Sequence, residues 1–288
     1  MCRFFVYKGH DMLMSDLLMQ PERSLIRQSF KAREWEEPLN GDGFGVGWYA
    51  PEIDPTPCVY TSVSPAWSNR NLQRLSEKIR SGCFFAHVRA ATPGLPVNDL
   101  NCHPFQYGRL LWMHNGAVSG FSRLRREIRE SLTDRTYNMI QGTTDTEHAF
   151  AVFLDLLLRH GGDFTADDMA EALAETLLRL KSWRANGGIG VASHYNFAVT
   201  DGETVIATRY VDDSADRPHS LYMAQGEKFQ HGESGYRMIG AGGGTGAPGA
   251  LIVASEPLTD EAGDWDEVPP NHMIVARSGK PVELRALS

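Results

Sequence analysis

Hydrophobic residues along the chain fall into two rhythms. Short continuous or alternating runs, bounded by turn residues, predict strands at Arg3-Phe-Phe-Val-Tyr7, Cys83–Ala90, Leu110–His114, Tyr195–Thr200, Thr204–Tyr210, Leu251–Ser255 and His272–Ala276. Helical spacing takes over elsewhere. Leu72, Leu75 and Ile79 follow a candidate cap at Ser68, and Phe121, Leu124, Ile128 and Leu132 mark an amphipathic helix with a basic outer face. The stretch Glu147–Leu158 is apolar nearly all round, which predicts a helix sandwiched in the core. Thr165 and Asp168 form a capping box ahead of Met169, Leu173, Leu177 and Leu180.

Punctuation completes the pattern. Asp201-Gly202 joins two strands as a hairpin turn, and Pro21 ends a short helix over Met12–Met19. The segment Asn40–Tyr49 carries four glycines in ten residues, without the Lys-Ser/Thr of a phosphate loop. It reads as a turn entering a strand where the backbone approaches something closely. The polar, glycine-rich segment Val211–Gly249 reads as an irregular, mobile insertion in which some strand is hidden and as a lid over a site, an expectation that deletion of Gly242–Gly246 would test. Strands at both ends, helices between them and no internal repeat predict one α+β domain over residues 1–288, with sheets packed face to face and covered by helices.

Composition narrows the function classes. The 288 residues are 42% hydrophobic with a formal net charge of -8, an acidic balance that argues against nucleic acid or an anionic membrane as partner. The longest apolar run, Ala149–Leu158, is broken by Asp155 and is too short for a bilayer, and no secretory leader pattern opens the chain. Four scattered cysteines without a Cys-x-x-Cys pair predict a reduced, cytoplasmic protein. Ten histidines without metal-ligand spacing predict no metal, and no cofactor is called for.

The candidate chemistry begins at Cys2. Trimming of Met1 would put thiol and α-amine on one residue, and an amine with a pKa of about 7.7–8.0 can take the thiol proton near neutral pH. The plain alternative is an ordinary buried thiol behind a retained Met1. Three further stretches sit at predicted element ends: His87–Gly94, His114-Asn115-Gly116 and Gly142–Glu147. Asn115 and the Gly116 N–H suit an oxyanion hole, worth about 3–4 kcal/mol per donor. Arg89 suits a substrate carboxylate, and Asp145 an α-ammonium. Each also has a bland reading: a salt-bridged strand end for Arg89, a hairpin turn for Asn115-Gly116 and an N-cap for Asp145. In Asn101-Cys102-His103-Pro104-Phe105, His103 reads as structural and Cys102 as no nucleophile.

Taken in order, Met1-Cys2-Arg3-Phe4, Asn40–Gly45, Ala86–Thr92, Asn101–Phe105, Met113–Gly116, Thr144–Glu147 and Ala254–Thr259 resemble the class II glutamine amidotransferases. That resemblance implies an N-terminal-nucleophile hydrolase with a four-layer αββα sandwich. It implies Cys2 as nucleophile with its own amine as base, Asn115 and Gly116 as the oxyanion hole, and Arg89 and Asp145 on the glutamyl head. It places Thr92 in the lining of the glutamate pocket. Ala90 and Pro93 depart from the glucosamine-synthase branch, which has Trp and His there, so that branch's specificity is not transferred. The chain is most similar to the stand-alone subgroup, which includes the amidotransferase subunit of the fungal glutathione-degradation complex and an ergothioneine-pathway γ-glutamyl hydrolase.

The expectation is therefore hydrolysis of the γ-glutamyl amide of glutamine, glutathione or a related compound through a Cys2 thioester. The resemblance implies a small γ-glutamyl substrate and a protein partner, either peptidase-like or a synthase subunit. Two alternatives stand beside it: a glutaminase subunit passing ammonia to a separate synthase, and a catalytically silent regulatory relative.

Overall fold

The computed structural model describes residues 2–33, 39–91, 96–233, 235–241 and 246–287. Its strands, in chain order, are β1 (Arg3–Leu13), β2 (Phe44–Ala50), β3 (Asp54–Ser62), β4 (Arg80–Val88), β5 (Phe105–Tyr107), β6 (Leu110–Ala117), β7 (His194–Thr200), β8 (Thr204–Arg209), β9 (Tyr222–Gly226), β10 (Lys228–Gly232), β11 (Gly235–Ile239), β12 (Ala250–Ala254), β13 (Asp266–Glu267), β14 (His272–Arg277) and β15 (Glu283–Ala286). The α-helices are α1 (Ser15–Leu18), α2 (Leu25–Gln28), α3 (Arg70–Ser76), α4 (Phe121–Glu130), α5 (Asp134–Tyr137), α6 (Asp145–Leu157) and α7 (Ala166–Asn186).

Among the described residues these strands form two large sheets. The first runs β13-β9-β12-β1-β4-β2-β3, the second β15-β14-β8-β7-β6-β5, and β10-β11 is a separate hairpin. Strand alternation explains how they stack. On β4, Cys83 and Phe85 face one way, into a cluster with Leu111 and Met113 of β6. Phe84, Ala86 and Val88 face the other way, against Leu17, Leu18 and Leu25 of α1 and α2. On β6, Leu110 and Trp112 turn outward to a third cluster with Phe150 and Phe153 of α6 and Leu173 and Leu177 of α7. The result is four layers, helix–sheet–sheet–helix, the αββα sandwich that the sequence resemblance implies. Each fully buried aromatic, such as Trp112 or Phe85, contributes about 1.5–3 kcal/mol to holding the layers together.

Several local expectations hold in detail. Thr165 and Asp168 make the capping box of α7, α6 is buried along nearly its whole length, and Gly202 turns the β7–β8 hairpin at φ 93°. The glycine run over 40–49 does admit close backbone: a Cβ on Gly45 would lie 2.1 Å from the His103 carbonyl oxygen.

Other expectations are corrected. The strand at the N-terminus extends to Leu13, because Met12 and Leu13 pair with Ser81 and Arg80, so only Ser15–Leu18 of the expected Met12–Met19 helix is helical. Asn69 rather than Ser68 caps α3, its side chain accepting from the Leu72 N–H at 2.8 Å. The strand expected to be hidden within 211–249 is there, by contrast: among its described residues β9 lies inside the first sheet between β12 and β13, and β10-β11 is a paired hairpin. Short polar strands with interrupted alternation hid it from the sequence pattern. Of the expected lid, residues 242–245 lie outside the described residues.

Candidate active site

Cys2 stands at the start of β1, one position before the Arg3–Val88 pair that joins β1 to β4. That register carries its thiol to the exit of β4, where Sγ donates to the Ala90 carbonyl at 3.5 Å. Burial pushes the thiol pKa up, and the nearby Arg89 and Arg3 charges pull against that rise. The thiol is therefore neutral near pH 7 and needs a base to become a nucleophile. The strand end is fixed by Arg3, whose Nε pairs with Glu256 Oε1 at 2.6 Å and whose Nη1 donates to the Cys2 carbonyl at 2.8 Å.

Arg89 lies just past β4 and is 4% exposed. Its backbone is locked to the glycine-rich turn: its N–H donates to Gly43 O at 2.8 Å and its carbonyl accepts from Asp42 N–H at 3.0 Å. Asp42 Oδ2 accepts from the Ala91 N–H at 2.8 Å, which sets the path of the chain beyond Arg89. The guanidinium itself has only a long contact, Nη1 to Asp42 O at 3.5 Å. Among the described residues no carboxylate lies within ion-pair range of it, so they do not supply the salt bridge of the strand-end reading. Burying an unpaired cation is costly, and the cost is relieved when an anion enters. Thr92, the expected lining residue, lies outside the described residues.

Asn115 and Gly116 are not a turn. They lie within β6, opposite Asn196 and Tyr195 of β7. Gly116 is required there because a Cβ would sit 1.9 Å from His194 O. The same alternation that points Met113 between the sheets points Asn115 there as well. Its Nδ2 donates to Ser255 Oγ at 3.2 Å, while its buried Oδ1 has no hydrogen-bond partner. Ser255 Oγ also accepts from Phe4 N–H at 3.1 Å. One hydroxyl thus ties the oxyanion-hole candidate to the strand carrying Cys2.

Asp145 opens α6, but Thr144 is the N-cap, its side chain accepting from Glu147 N–H. Asp145 Oδ2 accepts from Val118 N–H at 2.8 Å and Oδ1 from Thr146 N–H at 2.8 Å. Oδ1 also accepts from the Thr146 hydroxyl at 3.4 Å, no cation among the described residues pairs with the carboxylate, and Oδ2, held by the Val118 N–H alone, keeps a further acceptor position. The Val118 bond brings it beside the end of β6. Behind these groups lies a layer of neutral imidazoles. His103 Nδ1 meets His87 Nε2 at 2.9 Å, and His87 Nε2 lies 3.2 Å from His114 O. Burial pushes His87 down to about 3 and His103 well below its ordinary value. His103 is structural, as read from sequence. Cys102 is buried with its pKa raised to about 11 by desolvation, which makes it a poor nucleophile. Among the described residues no cluster of His, Cys, Asp or Glu is arranged to hold a metal ion.

Thiol, unpaired guanidinium, strand-embedded amide and backbone-held carboxylate thus converge on one end of the two-sheet sandwich. The family model described as "Glutamine amidotransferases class-II" matches residues 14–288. The chain belongs to the class II glutamine amidotransferases. It is 39% identical over 96% of its length to the probable glutamine amidotransferase DUG3 of Saccharomyces cerevisiae, 82% of which is covered. It is 26% identical to the γ-glutamyl-hercynylcysteine sulfoxide hydrolase of Mycobacterium tuberculosis, over 100% of this chain and 97% of that one. Among solved structures, a glutamine aminotransferase class-II domain protein of Silicibacter pomeroyi superposes with a TM-score of 0.67 at 25% identity, covering 99% of each chain. The allosteric regulatory enzyme of purine biosynthesis shares the fold alone, at 16% identity and a TM-score of 0.63 over 99% of this chain and 49% of that one. Fold and family make this class II amidotransferase an N-terminal-nucleophile amidohydrolase.

Sequence reasoning passed over the residues that hold this amidotransferase site in shape. Asp42 holds the turn after Arg89, Ser255 joins Asn115 to β1, and Glu256 pairs with Arg3. Glu147 Oε1 and Oε2 accept from the Gln141 and Gly142 N–H groups at 2.8 and 2.7 Å, shaping the loop before Asp145. A signal was present in each case: a charged or polar residue set in an otherwise apolar or glycine-rich run, as Arg3 is before Phe4-Phe5-Val6.

Proposed function

We infer that this chain hydrolyses the γ-glutamyl amide bond of a small substrate, with Cys2 as nucleophile. The carrying observation is the neighbourhood of Cys2: a thiol held at the Ala90 carbonyl, beside a buried arginine that no carboxylate among the described residues neutralises. That pairing suits a substrate bearing an α-carboxylate next to a reactive carbonyl. The relative named as a γ-glutamyl hydrolase, matched over the full chain, supports the same substrate class.

Removal of Met1 frees the Cys2 amine, which takes the thiol proton. The thiolate attacks the γ-carbonyl carbon, and the carbonyl π-pair becomes an oxyanion facing Asn115 Nδ2 and the Gly116 N–H. One Nδ2 hydrogen is engaged by Ser255 and the other is left for the substrate. Collapse expels the amine, which takes the proton from the Cys2 ammonium, and leaves a thioester. Water, deprotonated by the same amine, then releases glutamate and restores the thiol. Arg89 holds the α-carboxylate and Asp145 the α-ammonium, with Thr92 on the pocket wall. These groups read only the glutamyl head, so glutamine, glutathione and related γ-glutamyl compounds are all candidates. What lies beyond the amide, and a peptidase-like or synthase partner, select among them. Four free thiols suit a reducing compartment such as the cytoplasm.

The test is glutamate release from glutamine, glutathione and a γ-glutamyl anilide by the native chain and by Cys2→Ala. Turnover of at least one substrate, abolished in a Cys2→Ala protein that unfolds at the native temperature, is expected. Residual turnover above a few per cent would put the nucleophile elsewhere. Preference for glutamine would favour ammonia delivery to a synthase, and no release from any substrate would favour the silent relative.

A further inference from the structure

On the side of Cys2 away from the second sheet, residues around α2 enclose a cleft of about 490 Å³. Its lining includes Arg23, Arg27, Lys31 and Arg33 against two acidic residues, Glu22 and Glu256. Such a basic concentration stands out in a chain whose net charge is -8. Among the described residues the positive charge is only partly spent. Arg23 and Arg33 share the Asp260 carboxylate. Arg27 and Lys31 meet no carboxylate within ion-pair distance among the described residues, Arg27 reaching only the Glu22 carbonyl at 3.3 Å. The Lys31 N–H donates to Arg27 O at 2.9 Å, so one helical turn sets the two side chains on the same side.

The two acids oppose this field weakly. Glu256 is already neutralised by buried Arg3 at 2.6 Å, and its Oε2 accepts from the Arg33 N–H at 3.0 Å. Glu22 lies against the β10–β11 hairpin, its Oε1 2.4 Å from where a Gly235 Cβ would stand. An apolar wall completes the cleft: Phe30, 44% exposed, stands edge-on to Trp67 at 6.1 Å. Volume, cations without a carboxylate partner among the described residues, and an exposed ring match the size and chemistry of a phosphorylated small molecule.

We propose that this cleft is a binding site for a phosphorylated small molecule, separate from the γ-glutamyl pocket. Arg27 and Lys31 are its main phosphate contacts, and Phe30 offers a face to any ring the ligand carries. Its floor is wired to the nucleophile, since Glu256 holds Arg3 and Arg3 holds the Cys2 carbonyl at 2.8 Å. The site stands on its own geometry, whatever amide the enzyme cleaves.

Calorimetric titration of the full chain with inorganic tripolyphosphate and with ATP, without added divalent metal and at low salt, tests this. Saturable binding of both is expected, weakened at least about tenfold in the Arg27→Ala/Lys31→Ala double variant, with glutamate release unchanged. Phe30→Ala should weaken ATP alone if a nucleotide is the occupant, and neither if the phosphate chain suffices. Absence of saturable binding, or equal affinity in the double variant, would overturn the proposal.

Discussion

Arg3 and Arg89 flank Cys2 from neighbouring strands, 2% and 4% exposed respectively, yet their surroundings differ in kind. Arg3 belongs to a saturated frame: Glu256 at 2.6 Å, the Cys2 carbonyl at 2.8 Å, and beyond Glu256 the Arg33 N–H. Arg89 has its backbone locked by Gly43 and Asp42 and its guanidinium left almost bare. A similar contrast separates the residues that shape the loop before Asp145 from the Asn115 amide. Glu147 spends both oxygens on backbone N–H groups in the loop ahead of Asp145, and Asn101 Oδ1 accepts from the Thr143 N–H there at 2.9 Å. Asn115 keeps a buried Oδ1 without a partner. Among the described residues, Arg3 and Glu147 have their hydrogen bonds filled by protein, whereas the Arg89 guanidinium and Asn115 Oδ1 do not. A buried polar group short of partners is destabilising in the empty enzyme, and that deficit is what makes it able to bind.

The contrast can be broken from either side. Arg89→Met should cut kcat/KM for a γ-glutamyl substrate about a thousandfold, near 4 kcal/mol, while urea unfolding shows the empty protein as stable as before or more so. Lost stability with intact kinetics would reverse the assignment. Glu256→Gln should do the opposite, removing about 3 kcal/mol of unfolding free energy because it strands buried Arg3. Turnover in the variant that stays folded should fall less than in Arg89→Met.

The imidazole layer sharpens the same point through pH. An unfolded His87 takes up a proton near pH 6.5, whereas the folded one is held down to about 3. The unfolded chain thus binds more protons throughout that window, and stability falls as pH drops through it. For His87 alone the loss between pH 7 and pH 5 is about 2 kcal/mol, readable by urea titration at the two pH values and absent in a His87→Phe variant that folds. Ser255→Ala is the smallest effect. Losing one shared acceptor should cost about 1 kcal/mol and lower kcat several-fold with KM little changed, because Asn115 then loses its tether to β1.

Much of this was legible from the chain. The strands β4, β6, β7 and β8 and the long helices α6 and α7 announced themselves by period, and the capping box of α7 by two residues. Cys2, Arg89, Asn115, Gly116 and Asp145 were singled out by chemical type at element ends, and the fold brings them to one end of the sandwich. What was hidden depends on partners distant in sequence. Met12 and Leu13 are strand because β4 lies beside them, and β9 is strand because β12 does. Asn115-Gly116 looks like a turn in isolation and becomes mid-strand only through β7. Residues whose work is to saturate others, Asp42, Ser255 and Glu256, show in the sequence only as polar residues in apolar or glycine-rich runs, a signal that does not say which distant group each one saturates. Thr92 lies outside the described residues, and its place on the pocket wall rests on the resemblance.

The central claim is that Cys2, freed of Met1, is the nucleophile that a γ-glutamyl substrate reaches. An electrophilic glutamine analogue, such as a γ-diazoketone, incubated with purified enzyme and followed by intact and peptide mass analysis tests it most directly. The account predicts one adduct per chain, on the Cys2 thiol of a peptide lacking Met1, formed in step with loss of glutamate release and prevented by substrate. An active protein that retains Met1, or an inactivating adduct on Cys102 or any other residue, would contradict it.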